Sequence, residues 1–287
     1  MNTLKSYMNL IFLKANHYFQ FYYSFSMYVK IKKKIIFEIE KETYFILERY
    51  YNTSCNSFFC MLIFISGFSS FLLCSLSDPG KISSKYLDKH LKFYPYDGII
   101  FHKDSECETC KIKKPARSKH CKYCSSCISR YDHHCFLLNN CIGGYNNVYF
   151  IIFICVNIII TFYSSYISLY SVIKYENLLE ATFINHKTNE ILPNSYLTIV
   201  NYLFSEYSAT FSLFIISIST FFCILLFFLH EIYLNFYVNM TNNEKAKYNK
   251  LKNSNLHRNK NFYSFIRNVN DALFYKKNIE NFPKKFS

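Results

Sequence analysis

The sequence predicts an all-α, polytopic membrane protein whose cysteine-rich segment faces the cytosol. Three observations predict it: long uncharged apolar runs, an uneven spread of basic residues between them, and seven of the twelve cysteines gathered between Cys107 and Cys141. Half of the 287 residues are apolar and a fifth are Phe or Tyr, yet the formal net charge is +14. That combination fits neither a disordered chain nor an ordinary soluble domain.

Residues 58–76 read FFCMLIFISGFSSFLLCSL, 148–173 begin VYFIIFICVNIIITF, and 209–229 read ATFSLFIISISTFFCILLFFL. A helix needs about 20 mainly apolar residues to cross the hydrocarbon core, and backbone groups in lipid leave helix or closed barrel as the only options. These runs do not alternate polar and apolar residues as barrel strands do, so each is expected to be a transmembrane helix. Buried helices of a soluble core are the bland alternative, but stretches of this length without a charge are rare there.

Charge placement orients the runs. Residues 77–147 carry twelve Lys/Arg against seven acids, and the tail 230–287 carries eleven against four. The loop 174–208 has two against four. The positive-inside tendency makes 77–147 and the tail cytosolic and the 174–208 loop lumenal. In a reducing compartment thiols stay available for metal or catalysis, and structural disulfides are not expected.

The N-terminal region 1–57 leaves two readings open. Residues 7–29 are apolar and aromatic but contain Lys14 and His17, and KIKKK follows at 30–34. As a fourth transmembrane helix, this run puts the N-terminus in the cytosol and the basic cluster on the other side. Lying flat at the interface, it leaves three spans and a cluster no better placed. It does not read as a cleaved signal, because a basic start, compact apolar core and small-residue cleavage site do not occur in order.

In the cysteine-rich domain, 107–147, the order is Cys107-x2-Cys110, His120-Cys121-x2-Cys124-x2-Cys127, His133-His134-Cys135 and Cys141. Cys-x2-Cys spacing lets two thiolates reach one tetrahedral zinc from a tight turn, and its repetition is a strong signal. Seven cysteines and three histidines offer ten ligands, whereas two closed four-coordinate sites use eight, so at least two groups are spare. A thiolate in a closed zinc site shares its charge with the metal and attacks poorly. A free cysteine beside a histidine that an aspartate orients matches a nucleophile with its base. Cys135, His133 and Asp132 are the candidates, which leaves His134 to point the other way. A purely structural or redox thiol is the bland reading of Cys135.

These residues resemble the DHHC-type protein S-acyltransferases, the palmitoyltransferases. The resemblance rests on CETC at 107–110, KPARSKHCKYCSSCISRYDHHC at 114–135, NNCIGGYN at 139–146 and DPG at 78–80, and it extends over about 58–274. It implies four transmembrane helices and two structural zincs, one held by Cys107, Cys110, His120 and Cys127, the other by Cys121, Cys124, His134 and Cys141. It also implies that Asp132, His133 and Cys135 are catalytic, that palmitoyl-CoA is the acyl donor, and that the acceptors are membrane-associated proteins with cytosolic cysteines. Secretory-pathway membranes, with Golgi the default, go with the family; an accessory subunit is not legible.

The sequence departs from the family pattern at three places. Phe136-Leu137 stands where Pro-Trp is usual, and replaces apolar area but not the indole N–H. TNNE at 241–244 resembles the Thr-Thr-x-Glu motif with Asn242 for the second Thr; an amide still donates, so a changed geometry is expected rather than a lost contact. In the tail segment 262–274, Asn268 fits the bracing asparagine of the family, while Ser264 replaces a glycine. A zinc-containing scaffold without transfer activity is the competing reading. Nucleic-acid binding by the basic KIKKPARSKHCK stretch is not expected between membrane spans, where the same charges face anionic headgroups or a phosphorylated ligand.

Overall fold

The structure is a computed structural model and describes residues 54–185, 189–251 and 262–282. The candidate span at 7–29, with the rest of 1–53, lies outside the described residues. In chain order, α1 (Ser54–Leu76) is followed by a 3-10 turn (Ser84–Tyr86) and α2 (Leu87–Phe93). Two hairpins come next, β1 (Lys119–Cys121) with β2 (Ser126–Ile128), and β3 (His133–Cys135) with β4 (Asn140–Ile142). Then come α3 (Asn147–Tyr175), the hairpin β5 (Phe183–Ile184) and β6 (Ile191–Leu192), α4 (Tyr196–Glu206) and α5 (Ser208–Ile232). Helix α5 runs on as a π-helical segment, Tyr233–Val238, before α6 (Asn242–Lys250), α7 (Phe262–Leu273) and α8 (Tyr275–Glu280).

Two helices among the described residues are long and apolar enough to cross a membrane, Asn147–Lys174 and Ser208–Val238. At 1.5 Å per residue they measure about 42 and 46 Å, against a hydrocarbon core of about 30 Å. Large apolar side chains stand exposed along them, among them Ile159, Phe162, Phe222, Leu226 and Leu229. A core helix of a soluble protein buries such residues. The apolar part of α1, Met61–Leu76, is about 24 Å long and shorter than the core on its own.

The helices outrun the apolar stretches. Helix α1 starts at Ser54, four residues before Phe58, and the helical path of α5 continues nine residues past Leu229. Neither extension contains Gly or Pro, so backbone hydrogen bonding carries on where hydropathy stops. The path ends at Asn239, whose φ of 53° is left-handed and whose N–H bonds back to the Leu234 carbonyl.

The described residues fall into two compact units, one made of Ser69–Ile154 and the described part of Phe227–Ser287, the other of 54–68 and Cys155–Leu226. In the second unit, the expected loop 174–208 is largely structured. Hairpin β5–β6 and helix α4 enclose a core of Val172, Leu178, Phe183, Ile199 and Leu203. The Asn194 amide donates to the carbonyls of Leu178, Leu179 and Ala181, and Ser195 caps α4 by accepting from the Thr198 N–H. A Cβ at Gly67 would meet the Ile160 side chain at 2.8 Å, so glycine lets these two helices approach closely.

In the first unit, the DPG stretch docks the cysteine-rich segment. The Asp78 carboxylate accepts from the backbone N–H of Gly80 and Lys81, both at 3.0 Å, and Gly80 takes a φ of 95° that only glycine adopts cheaply. The turned chain then bonds strand β2: the Ser129 N–H donates to Gly80 O and the Ile82 N–H to Cys127 O, each at 2.9 Å. Asn140 of β4 fastens the other side, donating to the carbonyls of Cys74 and Ser77 at the end of α1.

Candidate active site and metal centres

Strand β3 consists of His133, His134 and Cys135, and its side chains alternate between two faces. The register sets His134 opposite Cys141, while His133 and Cys135 oppose Ile142 and Asn140. His134 and Cys141 therefore share one face, and His133 and Cys135 share the other. In the companion hairpin, His120 opposes Cys127 in the same way.

Two groups of four donors result: Cys107, Cys110, His120 and Cys127, and Cys121, Cys124, His134 and Cys141, the donor atoms of each lying within 4.8 Å of one another. Each could hold a metal ion. The sulfurs of Cys110, Cys107 and Cys127 lie 3.3, 3.5 and 3.9 Å from His120 Nδ1. Those of Cys124, Cys141 and Cys121 lie 3.5, 3.5 and 3.7 Å from His134 Nδ1. Tetrahedral zinc with Zn–S near 2.3 Å and Zn–N near 2.0 Å places its ligands roughly 3.5–3.8 Å apart, so the donors fit that ion in number, softness and spacing. Burial, with Cys107 and Cys110 crowding it, pushes the Cys127 thiol far above its ordinary range, and burial with Cys124 and Cys121 does the same to Cys141. A central cation reverses that penalty by favouring thiolates.

Cys135 belongs to neither group. It is half-buried and is a hydrogen-bond partner of His133. The His133 Nδ1–H donates to Asp132 Oδ2 at 2.6 Å, leaving Nε2 as the nitrogen able to accept a proton. Burial works against charge on His133, but the hydrogen bonds to Asp132 and Cys135 win, raising its pKa to about 10. Burial likewise disfavours the Asp132 carboxylate, yet His133 and Asn242 together hold it below the usual range. Phe150 packs edge-on against the imidazole with ring centres 5.2 Å apart.

Asn242 keeps the contact expected of its position. Its backbone N–H donates to Asp132 Oδ1 at 2.6 Å and its amide to Oδ2 at 2.9 Å. The neighbouring residues build a capping box, in which Thr241 accepts from the Glu244 N–H and Glu244 accepts from the Thr241 N–H. Glu244 also receives a two-pronged hydrogen bond from Arg117, 2.6 Å from Nε and 2.9 Å from Nη2, and both side chains are buried. Arg117 reaches Asn239 as well, and the Asn239 amide donates to Asn268, whose own amide donates to the Phe236 carbonyl. The tail is thereby tied to the cysteine-rich segment. Phe136, by contrast, is 63% exposed and stands edge-on to Tyr123 and His134.

Sequence reasoning assigned no role to Arg117, Arg130, Asn147, Glu231 or Asn235, which are all buried and polar. Asn147 and Arg130 both donate to Asn235, linking the start of α3 to the π-helical segment. Their partners lie 88 and 105 residues away, so no local pattern shows them. The one available signal was a carboxylate next to a run without other acids, at Glu231.

The geometry defines a cysteine–histidine–aspartate site carried on a doubled Cys3His frame, in a chain with long apolar helices. The family model for DHHC palmitoyltransferases matches residues 100–249, just over half of the chain, and the chain belongs to that family. Palmitoyltransferase SWF1 of Neurospora crassa is 40% identical over 78 residues, 27% of this chain and 18% of that protein. Palmitoyltransferase ZDHHC4 of Bos taurus is 40% identical over 72 residues, 25% of this chain and 21% of that protein. Palmitoyltransferase swf1 of Schizosaccharomyces pombe is 39% identical over 90 residues, 29% of this chain and 25% of that protein. The matched stretch thus spans a quarter or less of these relatives' length.

Proposed function

We propose that this chain is a protein S-palmitoyltransferase that moves a long acyl chain from palmitoyl-CoA, through a thioester on Cys135, to cysteines of membrane-associated proteins. The observation that carries this reading is the division of β3, with His134 on the side of a Cys3His group and His133 and Cys135 on the opposite face beside Asp132. His133 Nε2 takes the proton from Cys135 Sγ, while Asp132 fixes the tautomer and steadies the imidazolium. The thiolate attacks the thioester carbonyl, the carbon–sulfur bond to CoA breaks, and CoA leaves with the proton from His133. An acceptor cysteine then gives its proton to His133 and attacks the Cys135 thioester, and Cys135 regains the proton as it leaves.

The two Cys3His groups hold structural zinc in this reading. Bound zinc supplies rigidity to a segment with little hydrophobic core of its own, keeping Asp132, His133 and Cys135 in register. Asn242 maintains its hold on Asp132, so that departure from the family pattern does not favour a scaffold without activity. The described α1, α3 and α5 serve as spans in this reading. Residues 77–147 and the tail face the cytosol, 174–208 the lumen, and the default membrane is Golgi. An acyl chain gains about 0.8 kcal/mol per CH2 on leaving water, so its place is among apolar helices.

Incubation of the purified protein with palmitoyl-CoA is expected to give a hydroxylamine-labile acyl group on Cys135 that passes to a cysteine peptide. Retention of the label in a folded Cys135→Ser variant would overturn the reading.

A further inference from the structure

Glu231 is the sole carboxylate of Ser208–Val238 and is only 1% exposed. An acid at that place is costly and calls for a reason. Its Oε1 accepts from Asn242 Nδ2 at 2.6 Å and lies 3.9 Å from His230 Nδ1, and its Oε2 accepts from Asn235 Nδ2 at 3.2 Å. The same Asn242 nitrogen lies 2.9 and 3.2 Å from the two oxygens of Asp132. A primary amide nitrogen carries two hydrogens, and here each has a carboxylate to go to. Turning the amide over would set its oxygen against both acids, so Glu231 and Asp132 together lock it in one orientation.

We propose that Glu231 is a positioning residue for acyl transfer: it holds the Asn242 amide in the donating orientation, and through it fixes the Asp132 carboxylate that orients His133. The inference rests on the function proposed above. Asn242 at the position where a Thr-Thr-x-Glu motif carries threonine and the buried acid at 231 then form a matched pair. A threonine hydroxyl has one hydrogen to donate, whereas the amide has a second that needs an acceptor.

The test is a double-mutant cycle on the full-length, zinc-loaded protein, reading the first-order rate at which palmitoyl-CoA acylates Cys135. Glu231→Ala is expected to slow that rate about tenfold at saturating palmitoyl-CoA, with the half-saturating concentration unchanged within about twofold. Asn242→Thr, which offers Asp132 a side chain with one hydrogen to donate, is expected to recover more than about threefold of the rate in the Glu231→Ala background. A recovery of about threefold or less, or a loss confined to the half-saturating concentration, makes Glu231 a support of the fold alone and overturns the proposal. If Glu231→Ala does not load zinc, Glu231→Leu, which removes the acceptor but fills the space, replaces it in the same cycle with the same two outcomes. A wild-type protein that never acylates Cys135 overturns the functional reading itself, and this inference with it.

Discussion

The two hairpins of the cysteine-rich segment are near copies that end differently. Each donor of the first group has its counterpart 14 residues later: Cys107 and Cys121, Cys110 and Cys124, His120 and His134, Cys127 and Cys141. Strands Lys119-His120-Cys121 and Ser126-Cys127-Ile128 match His133-His134-Cys135 and Asn140-Cys141-Ile142 position by position. In the first hairpin the cysteine after the ligand histidine, Cys121, is drawn into the next group. In the second, the equivalent thiol is Cys135, and among the described residues no third group follows: Leu138, fully buried, stands where the next cysteine of the repeat would fall. The repeat stops here, and Cys135 is left outside both donor groups.

The largest effect is expected if a donor of the second group is removed. Cys141→Ala is expected to cost the second group its ion and the segment its fold, since structural zinc contributes about 10–16 kcal/mol in small metal-dependent domains. Metal analysis should show the loss, and limited proteolysis should cut the 107–147 segment rapidly. A variant that keeps its zinc and its resistance would separate Cys141 from the frame.

A smaller effect is expected where the chain entering the first hairpin is tied to the tail. Arg117→Ala strands the Glu244 carboxylate without its charged partner in a dry site, and breaking such a buried pair costs about 3–5 kcal/mol. The thermal unfolding midpoint should fall by several degrees, and an unchanged midpoint would mean that the pair carries no weight.

The smallest effect is expected at Phe136, which follows Cys135 but is mostly exposed. Phe136→Ala should change stability by less than about 1 kcal/mol, read from the same midpoint, because the ring is mostly exposed and meets Tyr123 and His134 edge-on. A larger fall would assign it a packing role that its exposure argues against.

What was legible in the sequence was what is local. Cys-x2-Cys spacing and the apolar runs are properties of short windows, whereas the assignment of His120 and His134 to their groups comes from the family resemblance. Asn242 was legible as a donor by its chemistry. The structured part of 174–208 was not, because two-residue strands and an eleven-residue helix carry little periodicity. Neither was the full length of α5, where helical hydrogen bonding persists through His230, Glu231 and Asn235 after the apolar run has ended. Arg117 meets Glu244 across 127 residues, and only the folded chain brings them together.

The proposed function requires Cys135 to lie off the metal while its repeat counterpart Cys121 lies on it. Zinc content measured side by side on purified wild-type, Cys135→Ser and Cys121→Ser protein tests this most directly. The expected result is about two zincs per chain in both wild type and Cys135→Ser, and fewer in Cys121→Ser. A Cys135→Ser protein that loses zinc as Cys121→Ser does would contradict it.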